Sequence, residues 1–197
     1  MVHEFTNADC GFGYRSSVFN GAMRGKYIVT EVSFGLKPGG EPKIAYADLK
    51  RHFDRRPLPR LSEVREAVRE IRRSKAMLIV PGDPDCRSAG SFFKNPVVSK
   101  EQFSVIESAA KAKGLTLPNY PAADGTVKLA AAWLVEQSGF HKGYSDGAVG
   151  ISSKHTLALV NRGGATAADV LRLKAQVQDA VQKTWGIALH PEPVVVE

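Results

Sequence analysis

Between Gly90 and Pro96 the run Gly-Ser-Phe-Phe-Lys-Asn-Pro sets a hydroxyl, an amine and an amide within five residues, beside two aromatics. Read as a site, this run offers three kinds of polar group to a ligand. Read as a plain loop, its phenylalanines plug a core while Ser91 and Asn95 satisfy local backbone groups. A second cluster, Tyr14-Arg15-Ser16-Ser17-Val18-Phe19, puts an arginine beside a tyrosine, an arrangement that suits an anion or a surface pair equally. A third, Leu189-His190-Pro191-Glu192, carries a lone carboxylate in an apolar C-terminal segment. Each is weak in isolation.

These groups must be held by elements that the hydrophobic pattern places. Lys26 to Leu36 puts Ile28, Thr30, Val32, Phe34 and Leu36 on one face at period two, which predicts a strand ending at the turn signal Lys-Pro-Gly-Gly-Glu-Pro. A short strand or turn is expected around Ile44 to Leu49. Ser62 is expected to cap a helix with Val64, Ala67, Val68 and Ile71 at helical spacing, running into Arg72, Arg73 and Lys75. Residues 76–90 have the Pro, Gly and Asp content of a linker, and the domain boundary is placed there. Ser99 with Gln102 predicts a capping box for a helix through Phe103, Ile106 and Ala110, stopped by Gly114. A shorter helix is expected over Val127 to Gln137 and a buried strand over His155 to Asn161. Thr166 should cap a long helix striped by Val170, Leu173, Val177, Val181 and Trp185, with a last strand from Ile187. Helices interspersed with short strands, and no regular βαβ unit, predict an α+β fold.

Composition narrows the function. The 197 residues are 43% hydrophobic, enough for one substantial core. No run approaches the ~20 apolar residues of a membrane span, and the N-terminus lacks the apolar core of a secretory signal. A cytoplasmic protein with no membrane partner is expected. Cys10 and Cys86 have no metal-ligand spacing and read as free thiols, so no metal site is expected. The net charge of +7 suits a polyanion, with a dense basic stretch between Lys50 and Lys75. No interleaved aromatics form a base-stacking platform, so a nucleotide diphosphate fits that charge better than nucleic acid.

Taken in order, the segments resemble the UDP-N-acetylenolpyruvoylglucosamine reductase (MurB) family. The resemblance is carried by CGFGYRSSVF (Cys10 to Phe19), AYADL (Ala45 to Leu49), IRRSK (Ile71 to Lys75), GSFFKNPVVS (Gly90 to Ser99), PNYPAADGTVKLAAAWLVEQSGFHKG (Pro118 to Gly143), GISSKHTLALVN (Gly150 to Asn161), GATAADV (Gly164 to Val170) and LHPEP (Leu189 to Pro193). It implies the family's C-terminal substrate-binding domain over 76–197, antiparallel strands packed with helices. Residues 1–75 would then be the closing strands and helix of an FAD-binding domain, most of which lies outside this chain. The implied reaction is FAD-dependent reduction of the enolpyruvyl group of UDP-N-acetylglucosamine enolpyruvate in peptidoglycan precursor synthesis, with NADPH as hydride donor. The isolated chain, a monomer, would be inactive.

The resemblance also assigns roles. Hydride addition to C3 of the enolpyruvyl group leaves a basic, enolate-like anion that needs stabilisation and then a proton at C2. Ser91 matches the proton donor, and Arg15 and Glu192 match the residues that stabilise the developing charge. Glu192 helps an anion only when protonated or sharing a proton, which burial in its apolar segment would favour. Tyr46 and Lys75 match residues that hold the substrate diphosphate, Asn95 a nucleotide contact, and His155 a nearby substrate position. Arg72 matches a basic group near flavin and substrate. No role attaches to Cys86. The rival readings are a non-catalytic module that binds UDP-sugars or a protein partner, and a basic nucleic-acid binder.

Overall fold

The computed structural model describes residues 1–13 and 16–195. The chain divides into two compact units, Met1–Glu41 and Pro42–Glu197. In the first, helix α1 (Asn7–Cys10) is capped by Thr6, whose side chain accepts from the Asp9 N–H while Asp9 answers to the Thr6 N–H. Phe5 stacks edge-on against both Phe19 and Tyr27, at 5.4 and 5.1 Å between ring centroids. The strand expected over Lys26 to Leu36 does not form among the described residues; the segment runs without ladder pairing. Its alternating Ile28, Val32, Phe34 and Leu36 are exposed, because a period-two face becomes a strand only against a neighbouring strand.

The second unit begins with helices α2 (Ala47–His52) and α3 (Leu61–Ser74), which pack together, α2 burying Leu49 and α3 burying Ala67. α2 replaces the strand or turn expected around Ile44 to Leu49: Asp48 in its first turn and Lys50, Arg51 and His52 in its last complement the helix dipole. α3 starts two residues earlier than expected. Glu63 reaches back to the Arg60 N–H at 2.8 Å, so Arg60 is the cap and Ser62 lies inside the helix.

Then follow β1 (Ser88–Ser91), β2 (Val97–Val98), α4 (Lys100–Ala112), β3 (Asn119–Pro121), β4 (Val127–Leu129), α5 (Ala131–Glu136), β5 (Ser145–Asp146), β6 (Val149–Ile151), β7 (Ala158–Asn161) and α6 (Ala167–Trp185). Two antiparallel sheets result, ordered β1-β7-β6-β5 and β2-β4-β3, and with the helices they form the expected α+β arrangement. The Ser99/Gln102 and Thr166/Asp169 capping boxes open α4 and α6 as the sequence predicts. Gly186 closes α6 in the left-handed region at φ 67°, a conformation glycine adopts without steric cost. The helix expected over Val127 to Gln137 is instead a strand followed by a helix, since Val127 and Lys128 pair with β2 on one side and β3 on the other. The last strand does not begin at Ile187; pairing starts only at His190 and Pro191.

The core is one cluster in which Leu173, Val177 and Val181 of α6 meet Val149 and Ile151 of β6 and Leu134 of α5. Gly150 sits between those two buried β6 residues, where an added Cβ would lie 2.5 Å from the Tyr144 carbonyl oxygen and 2.8 Å from Arg162 Nε. The backbone cannot yield there, because that carbonyl accepts the Ile151 N–H at 2.8 Å. Gly150→Ala should therefore cost about 1–3 kcal/mol. Urea unfolding with an unchanged midpoint would show that the strand relaxes freely.

Candidate active site

Ser91 ends β1 and is half-buried, paired across the sheet with Ala158. The next two residues point into the core, Phe92 and Phe93 being buried with their rings 5.5 Å apart. That burial fixes the backbone, and the backbone carries the site. The Phe92 N–H donates to the Leu157 carbonyl at 2.7 Å, while the Phe92 carbonyl accepts the Glu192 N–H at 2.8 Å. The Lys94 N–H donates to the His190 carbonyl at 2.9 Å. Residues 92–94 are thus held between Leu157, two positions after His155, and residues 190–192, so backbone bonds join the three segments that carry Ser91, His155 and Glu192.

Arg72 reaches the same place from α3. It lines, with Cys86, Gly90 and Ser91, an open cavity of about 250 Å³. Lys75, at the C-terminal end of α3, donates to Asp48 Oδ2 at 2.5 Å, and this bond is the main cause of the lowered pKa of Asp48. Tyr46 lies two residues before Asp48 as the N-terminal cap position of α2 and is 79% exposed. Hence Tyr46 and Lys75 belong to one α2/α3 corner, with Lys75 already ion-paired.

His155 is half-buried, and its Nδ1 accepts the Leu157 N–H at 3.1 Å. Its pKa lies below the ordinary histidine range, first because burial removes water from the imidazolium and then because Lys75 and Lys142 repel its charge. Lys142 is a basic neighbour that the sequence analysis did not single out; its only local signal was its place in the Phe-His-Lys-Gly turn. Asn95 serves a backbone group, as the plain-loop reading expects, but a distant one 36 residues along the chain and not a local one. Its Oδ1 accepts the Ala131 N–H at 3.0 Å, capping α5, whose own cap residue Ala130 has no side-chain acceptor.

Two expectations need correction or restriction. Glu192 is exposed, so its apolar neighbours in sequence do not bury it; the paired segment ends at that residue and its side chain leaves the core. Arg15 lies outside the described residues. No group of three or more potential metal ligands occurs among the described residues, and no helix there is long and apolar enough to cross a membrane.

A family model described as UDP-N-acetylenolpyruvoylglucosamine reductase, C-terminal domain, matches residues 83–196. Curated relatives named UDP-N-acetylenolpyruvoylglucosamine reductase include one from Thermobifida fusca, 48% identical over 96% of this chain and 54% of its own length. Others come from Saccharopolyspora erythraea, 45% identical over 96% of this chain and 53% of the relative, and from Burkholderia ambifaria, 42% identical over 98% and 54%. The chain spans about half the length of the curated relatives it matches.

Two outcomes follow from the geometry. Asn95→Ala should destabilise the chain by about 1 kcal/mol by orphaning the first amide of α5, measurable by thermal unfolding; an unchanged melting temperature would mean water replaces the cap at no cost. For His155 the folded pKa is depressed, so the unfolded chain takes up the proton first as pH falls. The contribution of the neutral imidazole is full above the unfolded value of about 6.5 and is lost as pH falls through the folded one. Melting temperature should therefore drop more steeply between pH 7 and pH 5 in the native chain than in His155→Gln. Equal slopes would exclude a buried neutral imidazole.

Proposed function

Because the chain belongs to the UDP-N-acetylenolpyruvoylglucosamine reductase family, we propose that it is the substrate-binding, proton-delivering part of such a reductase. In this reading residues 76–197 are the substrate domain and 1–75 the closing part of an FAD-binding domain. The observation that supports the proposal is the set of backbone bonds at Phe92, which ties the Ser91 segment to those of His155 and Glu192, together with the cavity that Ser91 shares with Arg72.

The cavity suits the reacting end of a substrate and not a whole dinucleotide, since ligand pockets run to about 300–1,000 Å³. Arg72 is the described residue that would meet the cofactor. When bound, the flavin supplies hydride drawn from NADPH. What this chain's residues do is separate from that. The α2/α3 corner, with Tyr46 as hydroxyl donor and Lys75 as point charge, receives the diphosphate, and the neutral His155 lies nearby as a hydrogen-bonding neighbour. The diphosphate competes with Asp48 for Lys75, so binding exchanges one anion for another. The amide nitrogen of Asn95 contacts the nucleotide while its oxygen holds α5. Ser91 gives its hydroxyl proton to C2 of the enolpyruvyl group, and Arg15 with Glu192 balances charge at the carboxylate. On this reading the enzyme works in peptidoglycan synthesis in the cytoplasm, and this chain by itself binds UDP-sugar as a monomer, colourless and without turnover.

The test supplies the half of the Thermobifida fusca relative that this chain does not match. In the reconstituted protein, Ser91→Ala should leave flavin reduction by NADPH intact and slow flavin oxidation by UDP-N-acetylglucosamine enolpyruvate by ~10²–10⁴-fold, the usual cost of losing a general acid. Stopped-flow absorbance separates the two half-reactions. Slowing confined to the NADPH step would remove Ser91 from the proton path.

A further inference from the structure

The loop before β1 holds a carboxylate that none of these roles uses. Asp85 is 3% exposed, and its Oδ2 accepts both the Ser153 N–H at 3.1 Å and the Ser153 hydroxyl at 2.5 Å. Its neighbour Asp83 accepts the Asp85 N–H at 2.9 Å and takes Lys154 Nζ at 2.7 Å. The segment 83–85 therefore grips the turn 152–154 with two carboxylates. A buried carboxylate is retained at a cost unless its acceptor sites are filled, and here the filling comes from a turn 68 residues away.

The place of that turn gives the grip a purpose. The Ser152 N–H donates to the Ala158 carbonyl at 2.9 Å, and Ala158 pairs with Ser91. The turn thus lies in line with Ser91 across the sheet. It leads directly into His155, whose ring is bonded to the Leu157 N–H, and the Leu157 carbonyl in turn accepts the Phe92 N–H next to Ser91. On its far side the turn runs into Thr156, buried and donating to Glu136 of α5. Without Asp85 the turn keeps its anchors at Thr156 and at the Asp83–Lys154 ion pair and loses the two bonds that hold Ser153.

We propose that Asp85 is a positioning residue: by holding Ser153, its carboxylate fixes the turn that carries His155 in line with Ser91, so that imidazole and hydroxyl face one substrate. The proposal rests on the functional reading of Ser91 and His155 given above. It requires no contact between Asp85 and substrate.

The experiment uses the full chain, labelled at histidine nitrogens, in the native form and as Asp85→Ala, Asp85→Asn and Ser153→Ala. Two properties are read by NMR: the titration midpoint of His155 and the affinity for UDP-N-acetylglucosamine. In Asp85→Ala the freed turn should expose the imidazole, raising its midpoint toward the ordinary histidine value, and affinity should fall about tenfold. Asp85→Asn, whose side-chain oxygen still accepts both bonds, should stay within about twofold of native affinity. Ser153→Ala removes only the hydroxyl bond and should shift both properties the same way by less, which keeps the test decisive if Asp85→Ala does not fold. A fall in melting temperature with His155 midpoint and affinity unchanged would overturn the proposal. If the native chain binds no UDP-N-acetylglucosamine at millimolar concentration, the functional reading fails, and the His155 midpoint alone then decides the positioning role.

Discussion

The peptide groups of Phe92 are used on both sides at once, the N–H by Leu157 and the carbonyl by Glu192. A backbone that bonds in two directions can be placed accurately only if it cannot rotate, and its buried ring, packed beside that of Phe93, prevents rotation. Ser91 inherits this fixity from its neighbour. Ser91 itself is only half-buried, which suits a group that must meet a ligand. The arrangement places rigidity one residue away from the reacting atom, so that the core stabilises the site without occupying it.

Charge around this point is distributed with similar economy. Lys75 is neutralised by Asp48 until an anion arrives, and His155 is held neutral by burial and by the lysines near it. An anionic ligand entering here would favour proton uptake by His155 while drawing Lys75 from Asp48. The site therefore has slack in its electrostatics and little in its backbone.

Much of this was legible in the sequence where the cause is local. Thr166 with Asp169 and Ser99 with Gln102 announce helix starts because the bonded groups lie three residues apart. Gly186 announces an end for the same reason. Where the cause is a distant partner the sequence is silent or misleading. The alternation from Ile28 to Leu36 is plain, yet no ladder forms among the described residues. Val127 to Leu129 carries helix-compatible residues and becomes a strand because β2 and β3 flank it. The carboxylate of Glu63 overrode the hydroxyl of Ser62 as the N-terminal anchor of α3. Within the site, Ser91 and Glu192 were linked in the sequence analysis only by family resemblance; the bond from the Glu192 N–H to Phe92, the residue after Ser91, has no local signature. Asp85 was invisible because an aspartate between Pro84 and Cys86 reads as turn chemistry.

The bare row of Ile28, Val32, Phe34 and Leu36 has a colloidal meaning as well as a structural one. An extended apolar segment with unused amides is the kind of surface on which chains stick to each other, and soluble proteins guard such runs with flanking charge. Here Lys26 and Lys37 bracket the row, with Glu31 within it. The positive net charge of the chain adds mutual repulsion that weakens as salt is added. The ionic strength of the solution thus sets how far these few side chains govern whether one molecule stays apart from the next.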